Sequence, residues 1–204
     1  MTQKRIGIGF VGGGFITRFH IQSLIGVRDC DVLGVMSRTK SSAEESASLA
    51  RVIGVGDAKV FNSVTEMVSD SNINALWICA PNFTRIEIME EIVNAIESGK
   101  GELIGVTCEK PLGRNVKEAK KVLELTQKVG LLDGYLENQV FAPSVTRGKE
   151  IIWSRGAKAT GRPYLARAAE EHSGPHMPWF WEGELQGGGA VSYTHLRAHE
   201  TDYY

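Results

Sequence analysis

A run of three glycines, Gly12–Gly14, lies between an apolar, strand-like segment and a segment whose apolar residues recur with helical spacing. At such a junction the first glycine, Gly12, permits a tight turn, and Gly14 lets the backbone approach a pyrophosphate closely. The amides and the dipole at the N-terminus of the following helix then stabilise the negative charge. The glycines therefore predict a dinucleotide-binding loop, with an ordinary tight turn as the alternative. The residues expected to contact the cofactor here are Gly12, Gly14, Phe15 and Ile16.

A second glycine pattern overlaps the first one. Gly7–Gly12 matches the literal G-x-G-x-x-G spacing, but it lies within the predicted first strand, where a phosphate-binding loop cannot form. In the pattern that starts at Gly12, the third glycine position is occupied by Thr17, which is small enough to let the helix pack closely against the strand. We therefore predict that Gly7 and Gly9 belong to the strand and that the later glycines bind the ligand.

The end of the predicted second strand carries a hydroxyl and a guanidinium, at Ser37 and Arg38. In dinucleotide-binding domains this position meets the adenosine ribose, where an acidic residue binds the 2′-hydroxyl of NAD. A guanidinium instead offers a charged, planar donor fork that suits a 2′-phosphate. Ser37 and Arg38 are therefore predicted to contact the cofactor and to favour NADP over NAD. The alternative is that Arg38 is a solvated surface charge.

Strand-like and helix-like segments alternate over the first two thirds of the chain. Short apolar runs at residues 5–11, 31–36 and 76–79, and another that ends near Cys108, alternate with amphipathic stretches. This alternation predicts βαβ units, and right-handed crossovers then place helices on both faces of a parallel sheet. We therefore predict an α/β fold with a doubly wound parallel sheet. The pattern fades after residue 138.

Two of the amphipathic stretches, residues 84–98 and 115–129, show which helix faces should be buried. Apolar residues in both recur with the three- and four-residue spacing of one helix face. The residues predicted to face inward are Met89, Ile92, Val93 and Ile96 in the first stretch, and Val116, Ala119, Val122, Leu123 and Thr126 in the second.

Composition restricts the class of protein. The 204 residues are 42% hydrophobic and 23% charged, which excludes disordered, collagen-like and coiled-coil proteins. The 23 basic and 24 acidic residues give a net charge of −1 without a basic stripe, so no nucleic-acid partner is predicted. Neither a membrane span nor a signal segment is readable, so we expect no membrane partner and a cytoplasmic location. The 3 cysteines form no C-x-x-C and are predicted to be buried thiols.

Further motifs stand in a fixed order along the chain. In that order they are Gly12–Ile16, His20, Ala80–Asn82, Glu109–Pro111, Gly134–Asn138, Phe141, Pro143 and the glycines at 187–189. Over residues 5–190 this set resembles the glucose–fructose oxidoreductase, inositol dehydrogenase and rhizopine catabolism family (Gfo/Idh/MocA). The resemblance implies an N-terminal Rossmann domain, then a domain with a large open antiparallel sheet, and an active site between them. It implies oxidation or reduction of a hydroxyl or carbonyl carbon of a sugar, cyclitol or similar small molecule with NAD(P).

The resemblance also implies roles for individual residues. Lys110 is implied to be catalytic, because an ammonium near the reacting oxygen stabilises negative charge and can relay a proton when desolvation lowers its pKa. A surface lysine before a turn proline is the alternative. The bond between Lys110 and Pro111 is implied to be cis, and Glu109 to lie by the nicotinamide ribose. The remaining implied cofactor contacts are Ala80, Pro81, Asn82 and Asn138.

Two positions depart from the family pattern. Arg85 stands where the family often has histidine, and Val140 where it often has arginine, and both predict altered substrate contacts. Four later side chains either line a sugar site or pack within a loop. These are His172, His176, Trp179 and Trp181.

The end of the chain does not continue the family pattern. After Gly189 the family would show D-x-G-x-H, with an acidic residue and a catalytic histidine, whereas residues 191–201 match an in-frame translation of a transposase-based sequencing adapter. We therefore expect a non-native tail, in which His195 and His199 have no metal role. A divergent native C-terminus is the alternative. The predicted division is a Rossmann domain at 1–133, an incomplete substrate domain at 134–190 and a tail at 191–204.

The predicted function of the longer native protein is that of an NAD(P)-dependent oxidoreductase with a sugar-like substrate, and we expect a homo-oligomer. This chain is predicted to bind nucleotide without turnover, and to expose apolar surface around Trp179–Trp181. No metal is predicted. Two alternatives stay open: a glycosidase that uses tightly held NAD in a transient redox step, and a non-catalytic binding or regulatory relative.

Overall fold

The computed structural model describes residues 5–165, 167 and 177–188. The chain divides into two compact units, Met1–Tyr135 and Leu136–Tyr204. Several predicted features lie outside the described residues. These are His172, His176, Gly189 and the tail at 191–204.

The first unit is built on a six-stranded sheet. Its strands are β1 Ile6–Val11, β2 Cys30–Met36, β3 Lys59–Phe61, β4 Ala75–Ile78, β5 Gly105–Glu109 and β6 Leu132–Leu136. They lie in the order β3-β2-β1-β4-β5-β6, and β1 is parallel to both of its neighbours, as are the pairs β2–β3 and β4–β5. The strand order reverses between β1 and β4, the position at which open α/β sheets bind ligands. The predicted α/β fold is confirmed.

Five α-helices connect these strands. They are α1 Phe15–Ser23, α2 Lys40–Val52, α3 Val64–Val68, α4 Arg85–Glu97 and α5 Val116–Lys128. Short 3₁₀ turns extend α1 through Leu24–Gly26 and precede α4 at Asn82–Thr84. The start of α5 is fixed by Asn115, whose side chain accepts a hydrogen bond from the N–H of Glu118 at 3.0 Å, satisfying one of the free donors of the first turn.

The apolar core has two parts. One part contains Ile8, Phe10, Val32 and Val35 of β1 and β2 with apolar residues of α1 and α2, among them the fully buried alanines of α2. The other part contains residues of β4 and β5 with α3, α4 and α5. Successive strand residues point to opposite faces of a sheet, so Phe10 belongs to one part and Val11 to the other. Helices therefore cover both faces, as the sequence predicts.

The burial pattern confirms one predicted helix face and corrects the other. In α4 the residues Met89, Ile92 and Val93 are buried and Ile96 is half-buried. In α5 the predicted inward positions Val116 and Leu123 are wrong.

Val116 is 70% exposed because it begins the helix, and Leu123 is 41% exposed because it lies beside the buried row rather than in it. That row consists of Val122, Leu125 and Thr126, spaced by three and four residues as one helix face requires.

Gly7 and Gly9 lie inside β1, so the literal G-x-G-x-x-G pattern is a packing feature of the strand, as predicted. A methyl group on Gly7 would lie 1.9 Å from the carbonyl oxygen of Asn72, and one on Gly9 would lie 2.3 Å from the sulfur of Met67. Both glycines therefore allow neighbouring chain segments to approach the strand closely.

The described residues of the second unit are mainly helical. They contain α6 Pro143–Glu150, a π-helical segment Ile151–Gly156, α7 Ala157–Thr160, and α8 Gly183–Gln186, with 3₁₀ turns at Asn138–Phe141 and Pro178–Trp181. Trp179 and Phe180 stack with ring centroids 4.2 Å apart, and Trp181 is 77% exposed. Trp179 and Phe180 are half-buried, so the apolar surface predicted around Trp179–Trp181 stays a prediction.

The close contact at Gly7 yields a stability prediction. Gly7→Ala should lower the free energy of unfolding by about 1–3 kcal/mol, because the added methyl meets backbone atoms that cannot rotate away. Gly26→Ala is the matched control, because no atom lies within 4 Å of the position of its added methyl. Urea unfolding measures both variants, and equal stabilities would contradict the packing role of Gly7.

Candidate functional site

The carboxyl ends of four neighbouring strands lie in one register across the sheet. Val11 of β1 is paired with Met36 of β2 and with Ile78 of β4, and Ile78 is paired with Cys108 of β5. The residues that follow these positions therefore meet at one edge. They include the predicted site residues Gly12, Ser37, Ala80, Glu109 and Lys110.

Gly12 makes the turn after β1. Its φ of 110° lies in a region that L-residues rarely adopt, and a methyl group there would lie 2.7 Å from the backbone nitrogen of Ala80. Its N–H donates to the carbonyl of Met36 at 2.7 Å, and its own carbonyl accepts from the hydroxyl of Thr17 at 2.7 Å. Thr17 is fully buried, so it closes the turn at the position where the standard pattern has a third glycine.

Gly14 precedes the first residue of α1 and leaves open space above the helix N-terminus. No described atom lies within 4 Å of the position that its side chain would occupy, and the first turn of α1 contains no acidic residue. Phe15 is exposed and Ile16 is half-buried. By contrast, a methyl group on Gly13 would lie only 2.7 Å from the backbone of Ser42, so Gly13 is closely packed. The free N–H groups at this helix end can therefore bind an anion.

Ser37 and Arg38 lie between β2 and α2, next along the same sheet edge. Ser37 is half-buried and Arg38 is exposed. Lys40 begins α2, and the first turn of that helix has no acidic residue. The segment thus presents a hydroxyl and two cations where an acidic residue would select NAD.

Ala80–Asn82 follows β4 and turns the chain into α4. The hydroxyl of Thr84 donates to the carbonyl of Pro81 at 2.8 Å, which stabilises the 3₁₀ turn at Asn82–Thr84. Asn82 is 4% exposed, whereas Ala80 and Pro81 are half-buried. The half-buried residues are those that can form a wall of a ligand site.

Glu109 is the last residue of β5 and forms a buried pair with His20 of α1. His20 Nε2 and Glu109 Oε1 are 2.7 Å apart, and Glu109 Oε2 accepts from the N–H of Lys110 at 3.0 Å. The rings of His20 and Trp77 also pack nearly perpendicular to each other, with centroids 5.3 Å apart. Both carboxylate oxygens of Glu109 therefore have protein partners.

Lys110 is half-buried, and its bond to Pro111 is cis, as the resemblance implies. Sequence reasoning assigned a position to His20 but missed its pairing with Glu109, since 89 residues separate them. His20 lies within α1 and Glu109 ends β5, so the contact joins two separate elements and leaves no local signal in the sequence.

Arg85, which the sequence predicts to mark altered substrate contacts, does not face outward. Its side chain is 2% exposed and points into the protein, where it donates to the carbonyls of Ala80 at 3.4 Å, Pro111 at 2.8 Å and Glu109. Burial lowers the pKa of Arg85, and the nearby Glu109 carboxylate opposes that change. Arg85 lies in the first turn of α4, so its long side chain can reach back beneath the strand ends instead of outward to a substrate.

The thiols beside the site are not nucleophiles. Burial raises the pKa of Cys79 to about 12, and the nearby Glu109 carboxylate acts in the same direction. Burial also raises the pKa of Cys108 to about 11. Both thiols are therefore protonated at neutral pH, when only a thiolate would react.

Two predicted positions, Asn138 and Val140, lie in the second unit. Both are exposed and belong to the 3₁₀ turn Asn138–Phe141. Across the described ranges, no group of three His, Cys, Asp or Glu side chains is arranged to hold a metal ion. None of the helices in this described part of the chain is long and apolar enough to cross a membrane.

The known proteins that this chain resembles include members of one family of oxidoreductases. A family model described as "Oxidoreductase family, NAD-binding Rossmann fold" (GFO_IDH_MocA) matches residues 6–133. The chain is 27% identical over 196 residues to 1,5-anhydro-D-fructose reductase of Ensifer adhaerens, covering 95% of this chain and 54% of the relative. It is 25% identical over 170 residues to myo-inositol 2-dehydrogenase of Thermotoga maritima, covering 82% and 46%.

Among solved structures, GenD2 from gentamicin A biosynthesis in complex with NAD superposes with a TM-score of 0.72 at 25% identity, covering 96% of this chain and 52% of the other. An NAD-binding protein from Listeria innocua, at 19% identity and a TM-score of 0.69, shares the fold. The chain spans about half the length of the curated relatives that it matches. Its family model, its sheet order and its glycine turn agree, and the chain belongs to the Gfo/Idh/MocA family of oxidoreductases with an NAD-binding Rossmann fold.

Proposed function

We propose that this chain carries the nucleotide-binding half of an NAD(P)-dependent oxidoreductase that acts on a hydroxyl or carbonyl carbon of a sugar, cyclitol or similar small molecule. The observation that carries the proposal is the shared register of β1, β4 and β5, which brings the Gly12 turn and Lys110 to one sheet edge. The reductase and inositol dehydrogenase among its relatives support this substrate class.

The described residues fit a dinucleotide. Gly14 leaves open space at the N-terminus of α1, where a pyrophosphate meets free N–H groups and no acidic side chain in the first turn. Ala80, Pro81, Asn82 and Glu109 stand along the same edge toward Lys110. When bound, the nicotinamide ring would accept or supply the hydride.

Lys110 acts on the substrate oxygen in this proposal. Its ammonium stabilises the negative charge that develops on that oxygen, and it donates or accepts the proton that accompanies hydride transfer. Glu109 accepts the backbone N–H of Lys110 at 3.0 Å and thereby holds the backbone from which the lysine side chain extends. The cofactor contact of Asn138 that the resemblance implies stays a prediction.

The cofactor is proposed to be NADP in preference to NAD. Support comes from Ser37, Arg38 and Lys40 after β2, where the first turn of α2 contains no acidic residue. A guanidinium and an ammonium attract the 2′-phosphate that distinguishes the two cofactors.

The domain boundaries and the tail belong to the same proposal. Residues 1–133 bind the nucleotide, residues 134–190 begin a substrate domain, and residues 191–204 are not native. Because D-x-G-x-H is missing after Gly189, this chain is proposed to bind nucleotide without turnover. Resequencing the gene beyond Gly189 tests this, and persistence of Val191 and the residues after it would refute it.

Replacement of Gly14 tests the phosphate site. Gly14→Ala should weaken NADPH binding at least tenfold, since a methyl group would occupy the space that the pyrophosphate needs. The free energy of unfolding should change by less than about 0.5 kcal/mol, because that space holds no described protein atom. Fluorescence titration and urea unfolding measure the two quantities. Gly7→Ala is the control with the opposite outcome, with lower stability and retained affinity per folded molecule.

Replacement of Arg38 tests cofactor choice. Arg38→Ala should weaken binding of NADPH about tenfold and leave binding of NADH within twofold, because only NADPH carries the 2′-phosphate. Arg28→Ala, at another exposed arginine, is the control. Equal losses for the two cofactors, or a native preference for NADH, would contradict the assignment.

Replacement of Lys110 tests the chemical step in the longer protein, expressed from the resequenced gene. Lys110→Met should lower kcat about 10²–10⁴-fold, the usual contribution of a positioned acid–base group. The affinity for the nucleotide should stay within threefold. Lys117→Met, at an exposed lysine of α5, is the control. Turnover that survives in Lys110→Met would overturn the catalytic role. Release of free sugar from an aryl glycoside by the longer protein, without net cofactor turnover, would identify a glycosidase instead.

A further inference from the structure

Arg85 is a buried cation that does not face the proposed ligand site. It is the first residue of α4, directly after the turn that begins at Pro81, and it is the largest of the fully buried side chains in the described part of the chain. Arginine is rarely buried unless its charge is compensated by partners. Its position therefore calls for an explanation from its contacts.

The guanidinium of Arg85 joins two segments of the site edge. Its Nη1 donates to the carbonyls of Glu109 and Pro111, the two residues that flank Lys110. Its Nη2 donates to the carbonyl of Ala80. The segment after β4 and the segment after β5 are thus held by the same side chain. A planar guanidinium presents its donors in a fixed fork, so these carbonyls are also fixed in direction.

The hydrogen bonding of Arg85 is incomplete. Its Nε–H is buried and has no hydrogen-bond partner among the described residues, although the two terminal nitrogens are engaged. Buried donors without a protein partner are rare in native proteins. The partners that the guanidinium does have are the carbonyls on either side of Lys110 and the carbonyl of Ala80.

We propose that Arg85 is a positioning residue for Lys110, fixing the Glu109–Pro111 turn against Ala80 so that the lysine side chain leaves the backbone in one direction. This inference rests on the proposed function in that Lys110 is the group whose position has catalytic value. It adds a residue that touches neither the cofactor nor the substrate. It also gives a physical role to the arginine that stands where the family often has histidine.

The position of Lys110 can be measured without turnover. Trace acetylation with acetic anhydride followed by peptide mass spectrometry gives the labelling rate of Lys110 relative to the exposed lysines Lys117 and Lys120 in the same molecule. Arg85→Lys keeps the charge and loses the fork, and Arg85→Met loses both. In each variant the relative labelling of Lys110 should rise at least threefold, because the loosened turn exposes the amine.

A matched control separates positioning from stability. Arg51 also ties a helix to a backbone carbonyl, since its Nη1 donates to Ala58 at 2.5 Å, but it lies away from the site edge. Arg51→Met should leave the relative labelling of Lys110 unchanged within 1.5-fold, which corresponds to a free-energy difference of about 0.2 kcal/mol. General unfolding would instead raise the labelling of every protected lysine, and not that of Lys110 alone.

The outcomes separate this inference from the proposed function. If Arg85→Lys folds and the relative labelling of Lys110 is unchanged, the positioning role is wrong, whether or not Arg85→Met folds. In the longer protein, Arg85→Lys should lower kcat at least tenfold with KM within threefold. If labelling shifts while Lys110→Met retains turnover, Arg85 still positions the lysine and it is the proposed catalytic function that fails.

Discussion

A positive charge enclosed beneath the carboxyl edge of the sheet is the interaction on which the rest of the site depends. Arg85 supplies that charge, and the carbonyls of Ala80, Glu109 and Pro111 surround it. Leaving a buried hydrogen-bonding group without its partner costs about 1–3 kcal/mol, and more when the group is charged. The nearby carboxylate of Glu109 favours the charged guanidinium and is itself held by His20. Charge, carbonyls and carboxylate thus form one connected unit.

The parallel sheet explains why this unit can exist. Register between β1, β4 and β5 aligns the points at which the strands end, so residues far apart in sequence meet without any long loop. Helices on both faces bury the sheet, and the polar groups beyond the strand ends become the place where ligands reach the fold. The fold positions the site, and the site adds little to the apolar core.

The sequence predicted the sheet class and most long elements because their apolar periodicities are strong. Short elements were not predicted: β3 has three residues and α3 has five, too few for a period to show. The error at Leu123 arose because neighbouring apolar residues on a helix do not all share its buried face.

The candidate site was predicted less completely than the fold. The glycine turn and the Lys110 segment could be placed because their residues are adjacent in sequence. The contacts of Arg85 with Glu109 and of Glu109 with His20 could not be predicted, since they join separate elements through side chains. Arg85 stands four residues before Met89, on the helix face that the periodicity predicts to be buried, but its charge and long apolar stem suit solvent as well as the interior.

The hydroxyl of Thr17 has a consequence for how this class of loop is defined. It is fully buried and closes the Gly12 turn by a hydrogen bond that a third glycine could not make. The volume available at this position therefore admits a small polar side chain. Where a third glycine would offer backbone flexibility, the Thr17 hydroxyl instead holds the turn through its hydrogen bond to the Gly12 carbonyl. A search that demands three glycines passes over chains of this kind. A definition written in terms of side-chain volume and hydrogen-bonding capacity would include them.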